Sequence, residues 1–147
     1  MDVGSYLSGY ADGEGCFCVS VNPSRRHRLG WEIRPSFSVS QNGDRAAVLE
    51  IYRREWDCGT IRPDRSDRTL KYEVRSIKEL VTRVVPHFER YPLLSSKQDD
   101  FRRFSEVCRL LAEKAHTTPD GLQRILALAG QINLNGRKKF PREAIKL

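Results

Sequence analysis

Four stretches of the chain alternate apolar with polar side chains, and a strand patterned in this way buries one face and leaves the other open. "CFCVSVN" from Cys16 sets Phe17, Val19 and Val21 against Cys18, Ser20 and Asn22. A basic link, "PSRRHRLG", leads to "WEIRPSFSVSQ", which sets Phe37 and Val39 against Glu32, Arg34, Ser36 and Ser38. "TIR" and "LKYEVRS" repeat the pattern around a polar link from Pro63 to Asp67, with Leu70, Tyr72 and Val74 inside and Lys71, Glu73 and Arg75 outside. Strands joined so closely pair as antiparallel neighbours. The chain is thereby committed to a sheet that packs on one side only.

Helical periods occupy the remainder. Leu7 to Ala11 reads as the end of a short helix, and "DRAAVLEIYRREW" places Ala47, Val48, Ile51 and Tyr52 on one stripe. "IKELVTRVVPHF" is a third helix, Lys97 to Glu113 a fourth, and Thr118, Pro119 and Asp120 open a fifth that ends near Asn135-Gly136. The order predicts an α+β domain with an αββαββα core, a four-stranded antiparallel sheet, helices on one face and extra C-terminal helices. With 147 residues, 1–147 form one domain. The tail "GRKKFPREAIKL", 136–147, reads as loose and basic.

Lysine and arginine number 26 against 19 acids, a formal charge of +7. An anionic partner follows, with nucleic acid ahead of a membrane surface. There is no run of about eighteen apolar residues, and the N-terminus lacks the basic and apolar segments of a secretion signal. The expectation is a soluble protein with no membrane partner, working inside the cell in the cytoplasm or an organelle interior. Cys16, Cys18, Cys58 and Cys108 read as reduced thiols. Zinc is the lesser reading, because Cys16-x-Cys18 is one residue short of the usual pair and His27, His87 and His116 are scattered.

The outward positions carry side chains suited to base edges and phosphates: Ser20, Asn22, Ser24, Arg26, Arg34, Ser36, Ser38, Arg62, Lys71 and Arg75. Glu32 and Glu73 either accept from cytosine or pair with neighbouring arginines. A merely solvated face is the competing reading. Lys138 and Lys139 in the tail, with the "SRRHR" turn, would add phosphate contacts that raise affinity more than sequence choice.

Against this background "LSGYADGEG", Leu7 to Gly15, resembles the signature of the LAGLIDADG homing endonucleases. Leu7, Gly9, Asp12 and Gly15 stand as in the signature, and Ser8, Tyr10, Ala11, Gly13 and Glu14 are substitutions. The stretch heads an αββαββα order that is also the family's core, and the resemblance covers nearly the whole chain. It implies a saddle-shaped sheet lying in the major groove and places the chain in the single-motif, homodimeric branch. "SVSQNGDR" resembles the end of the family's second strand, which puts Gln41 and Arg45 at active-site positions. "YPLLSSKQDDF" resembles a later helix-entry segment, which puts Lys97 at the basic residue near the scissile bond. Each keeps a plainer alternative: Gln41 as a helix cap, Arg45 as a surface ion pair, Lys97 as a first-turn lysine.

The chemistry of the signature stretch can be reasoned from its residues. Gly9 and Gly13 share one helix face, and their missing side chains admit a second helix. One chain has one such helix, so the partner is another copy, with Leu7, Gly9, Asp12 and Gly13 at the expected contact. Two Glu14 carboxylates would then meet, which is costly unless a cation lies between them. Magnesium suits an all-oxygen site of the Glu14 carboxylate, the Gly13 carbonyl, water and phosphate. About two or three ions per paired site are expected, with manganese or calcium as alternative occupants. Glu14 is the expected ligand and Asp12 mainly structural. The expected activity is hydrolysis of both strands of a long, near-palindromic DNA target; the alternative is an intron RNA maturase or a non-cleaving DNA-binding protein of the same fold. The resemblance further implies an intron-encoded gene.

Overall fold

The computed structural model describes residues 1–64 and 68–132. Helix α1 (Val3–Glu14) runs directly into β1 (Gly15–Pro23), which pairs with β2 (Trp31–Asn42). A single 3-10 turn, Gly43–Arg45, leads to α2 (Ala47–Trp56), followed by β3 (Thr60–Pro63) and β4 (Thr69–Val74). The strands form one antiparallel sheet in the order β1-β2-β4-β3. Helix α3 (Ile77–Glu79) passes through a π-helical turn, Leu80–Val84, into α4 (Val85–Arg90); α5 (Lys97–Ala112), a 3-10 turn and α6 (Pro119–Ile132) complete the described chain. The fold matches the expected α+β order. The expected end of α6 near Asn135-Gly136 and the tail with Lys138 and Lys139 lie outside the described residues.

The alternation read from the strands decides which face is covered. Phe17, Val19, Phe37, Val39, Tyr72 and Val74 are all buried. Beneath them the helices supply Leu49, Tyr52, Trp56, Phe88, Phe101 and Phe104. Phe17 lies 5.1 Å from Phe104 and 5.4 Å from Phe88, centroid to centroid, and Phe37 lies 5.4 Å from Trp56. Aromatic edges meeting faces at such spacings add to simple area burial. Tyr52 donates its hydroxyl hydrogen to the Leu7 carbonyl at 2.6 Å, joining α2 to α1, and Tyr72 donates to the Cys58 carbonyl at 2.7 Å. Burial raises both phenol pKa values further, so both stay neutral donors.

Two departures from the sequence expectation have local causes. Leu7 to Ala11 reads in the sequence as the end of α1. The helix continues to Glu14, since the Gly15 N–H donates to the Ala11 carbonyl and Lys97 Nζ donates to the carbonyls of Ala11 at 3.0 Å and Gly15 at 2.7 Å. Its other end is capped by Asp2, which accepts from the N–H groups of Gly4 and Ser5. The third helix keeps its expected span but contains the π turn, immediately before Pro86. Proline has no N–H for the α-helical ladder, and the widened turn accommodates the gap. The N-cap expected at Thr118 is present, its hydroxyl accepting from the Gly121 N–H at 3.2 Å. No helix among the described residues is long and apolar enough to cross a membrane.

Candidate active site and nucleic-acid interface

With the helices on one side, the polar parity of the strands forms an open face arranged in rows by strand register. Cys16, Ser38, Glu73 and Thr60 make one row across all four strands; Ser40, Lys71 and Arg62 make the next. Toward the far end of β1 and β2, Cys18 lies opposite Ser36, Ser20 opposite Arg34, and Asn22 opposite Glu32. The outward residues expected on the strands therefore share one surface. Ser40 belongs to it as well and was missed; its hydroxyl donates to Asp64 at 2.9 Å.

Some expected contacts take other roles. Ser24 and Arg26 sit in the β1–β2 turn, and the Ser24 hydroxyl accepts from the Arg26 N–H and lies 2.8 Å from His27 Nδ1, so it orders the turn. Arg75 follows β4 and is exposed. Glu32 pairs with Arg34 at 2.9 Å. Ser38 and Glu73 do not project from the face. They are only 9% and 7% exposed, sunk into its floor.

The edge where α1 becomes β1 collects the remaining candidates. Glu14 is the last residue of α1; its carboxylate is exposed and makes no hydrogen bond or ion pair with another described residue. A helix C-terminus carries partial negative charge, and a free carboxylate beside it makes this edge attractive to a cation. Lys97 satisfies the carbonyls on either side of Gly13. It is thus more than a first-turn lysine, because its side chain fastens the segment that presents Glu14. Gln41 lies at the end of β2, its Oε1 accepting from the Asn42 N–H at 3.2 Å, and Arg45 is exposed in the following turn.

Tyr10, one helical turn before Glu14, connects these groups. Burial raises its pKa; Gln41, which approaches the hydroxyl, and the Arg45 charge oppose the rise, and the Glu14 charge adds to it. Gln41 and the charges of Glu14 and Arg45 therefore all act on the Tyr10 phenol. Tyr10 was missed as a site residue because a tyrosine within a helix signals nothing until Gln41 is brought beside it.

One member of the expected partner contact, Leu7, is reassigned. Leu7 is fully buried in the chain's own core, because Leu7, Ser8 and Ala11 form the inward stripe of α1. Asp12 is occupied within the chain. Its carboxylate accepts from the Leu94 N–H at 2.9 Å, the Ser95 N–H at 3.0 Å and the Ser95 hydroxyl. Burial alone would raise its pKa, but these hydrogen bonds, with Lys97 nearby, hold the carboxyl below the ordinary range. Gly9 and Gly13 remain on the exposed face, and a Cβ built at either meets nothing within 4 Å.

Behind α1, Ser8 donates to the Tyr91 carbonyl at 2.6 Å and accepts from His87 Nε2 at 3.1 Å. Burial against Trp56 and Phe88 lowers the His87 pKa to about 4. The folded chain therefore holds a neutral ring while the unfolded chain, near pH 6.5, takes up a proton. Stability from this group is complete above that value and is lost as pH falls toward 4. Thermal melts between pH 7 and 4.5 are expected to show a steady decline that His87→Gln flattens; an unchanged slope in the variant would exclude His87 as its source.

Together these features describe an α+β domain with a cation-bearing open sheet and a free carboxylate at the sheet's edge. The family model described as LAGLIDADG endonuclease matches residues 7–108, and the chain belongs to that family. Probable intron-encoded endonuclease 2 of Neurospora crassa is 32% identical over 130 residues, which is 88% of this chain and 29% of that protein. The chain thus spans less than a third of that curated relative. The crystal structure of the homing endonuclease I-TnaI superposes with a TM-score of 0.83 at 32% identity, covering 88% of this chain and 87% of that one. I-SmaMI bound to its uncleaved DNA target in the presence of calcium ions superposes with a TM-score of 0.87 at 28% identity, covering 95% of this chain and 46% of that one.

Proposed function

We propose that the chain is a site-specific DNA endonuclease that works as a homodimer, cuts both strands of a long, near-palindromic target and depends on magnesium. The carrying observation is the exposed Glu14 carboxylate at the end of a helix whose Gly9 and Gly13 leave room that none of the described residues fills. Two copies of α1 packed at those glycines would bring two Glu14 side chains to one point beneath the duplex. The endonuclease names of its relatives and the DNA and calcium in the I-SmaMI structure support the reading.

The donor set fits a hard cation: carboxylate oxygen from Glu14 and backbone carbonyl oxygen from Gly13, with water and phosphate completing the shell. Divalent ions, when bound, supply a water activated for attack on phosphorus and charge neutralisation for the departing 3′ oxygen. The protein's part is placement. Asp12 ties the end of α1 to the segment before α5 and Lys97 ties it to the first residue of α5, which holds the Glu14 backbone in place. Gln41, Arg45 and the Tyr10 hydroxyl form the polar wall that orients water, and the cationic face holds the phosphates. The protein acts in whichever intracellular compartment holds its target, and its gene lies in an intron.

The test is selection of bound duplexes from a randomised pool, followed by incubation of the selected DNA with the protein and magnesium. The expected result is a double-strand break at a near-palindrome, absent in EDTA. Tight binding with intact DNA in magnesium would favour the maturase or binding-protein alternative.

A further inference from the structure

Glu73 is buried on the face that is otherwise open. No other carboxylate among the described residues is buried to this degree. Its Oε1 accepts from Arg62 NH2 at 2.7 Å and its Oε2 lies 3.5 Å from Lys71 Nζ. Arg62 and Lys71 are directly opposite each other on β3 and β4, and Ser38 is opposite Glu73 on β2. A carboxylate withdrawn from water is tolerated where both oxygens face cations, as here. Those same contacts make it a poor reader of bases, since its acceptor oxygens are committed and its side chain lies below the surface.

The cations above it are differently placed. The Arg62 side chain is 53% exposed, and a guanidinium has five N–H donors, so one contact to Glu73 leaves a fork for another acceptor pair. The O6 and N7 atoms of guanine in the major groove match that fork. An arginine free to rotate spreads its contacts over several bases or phosphates; one fastened at NH2 does not.

We propose that Glu73 is a positioning residue that fixes Arg62 and Lys71 as a paired reader of guanine-containing steps in each half-site. This deepens the DNA-recognition reading above and rests on it. The three side chains carry a net charge of +1, and neutralising Glu73 would raise it to +2, strengthening phosphate attraction while loosening the aim of both cations.

Selection from a randomised duplex pool with the full chain, Arg62→Leu and Glu73→Gln reads this directly. The unsubstituted chain enriches a defined half-site, and Arg62→Leu loses guanine preference at one or two adjacent positions. Glu73→Gln weakens the preference at those same positions about tenfold and binds random duplex more tightly, with a steeper salt dependence. A purely structural Glu73 would lower the melting temperature and leave the selected sequence intact, which overturns the proposal. So does a changed preference at positions that Arg62→Leu leaves untouched. If the unsubstituted chain enriches no sequence, the broader reading of site-specific recognition fails, and the role of Glu73 with it.

Discussion

Glu14→Gln is expected to lower the single-turnover cleavage rate by a factor of about a thousand or more, while binding of the selected duplex in calcium weakens by less than about tenfold. The amide keeps the volume of the side chain and one of its acceptors but loses the charge that offsets a divalent ion. On the proposed reading affinity comes from the sheet face and its cations, so the two measurements should separate. Cleavage within tenfold of the unsubstituted rate would remove Glu14 from the metal site. Asp12→Asn is the informative control, because Asp12 already accepts from Leu94 and Ser95. Its effect should fall first on thermal stability.

Gly9→Leu should separate subunit pairing from folding. A Cβ at Gly9 meets no atom of the described residues within 4 Å, and exchanging glycine for leucine within a helix contributes about 0.5–1 kcal/mol of intrinsic helix preference. The monomer is therefore expected to melt at the same temperature or slightly higher. The pair of α1 helices, by contrast, would be held apart by two leucines at the point of closest approach. Sedimentation should show the dimer dissociation constant raised at least about a hundredfold, and cleavage should fall in step because the proposed active site is shared by two chains. A variant that still dimerises as before would move the interface away from this face.

How much of this was visible beforehand follows from the range of the interactions. The inward set Phe17, Val19, Phe37, Val39, Tyr72 and Val74 was legible because alternation is a local property of a strand. The polar face was legible for the same reason. Its depth was not, because Glu73 is buried only once Arg62 arrives from β3 and Ser38 from β2, a matter of register between segments. The signature stretch pointed to Glu14, Gly9 and Gly13, all of which the structure leaves exposed. It misplaced Leu7, whose direction depends on the phase of α1 against the core. The extent of α1 was not legible, since groups that sustain its last turn come from Lys97. Tyr10 and Ser40 could be found only by seeing which neighbours folding gives them.

The tie from Asp12 to Leu94 joins positions 82 residues apart. Closing so long a loop is entropically late in folding, and contacts of this range slow it. The signature stretch precedes α5 in the chain and cannot take its folded form until Leu94, Ser95 and Lys97 are in place. The edge proposed to cut is consequently completed only after the sheet proposed to hold DNA, since β1–β4 all precede the residues that fasten the end of α1.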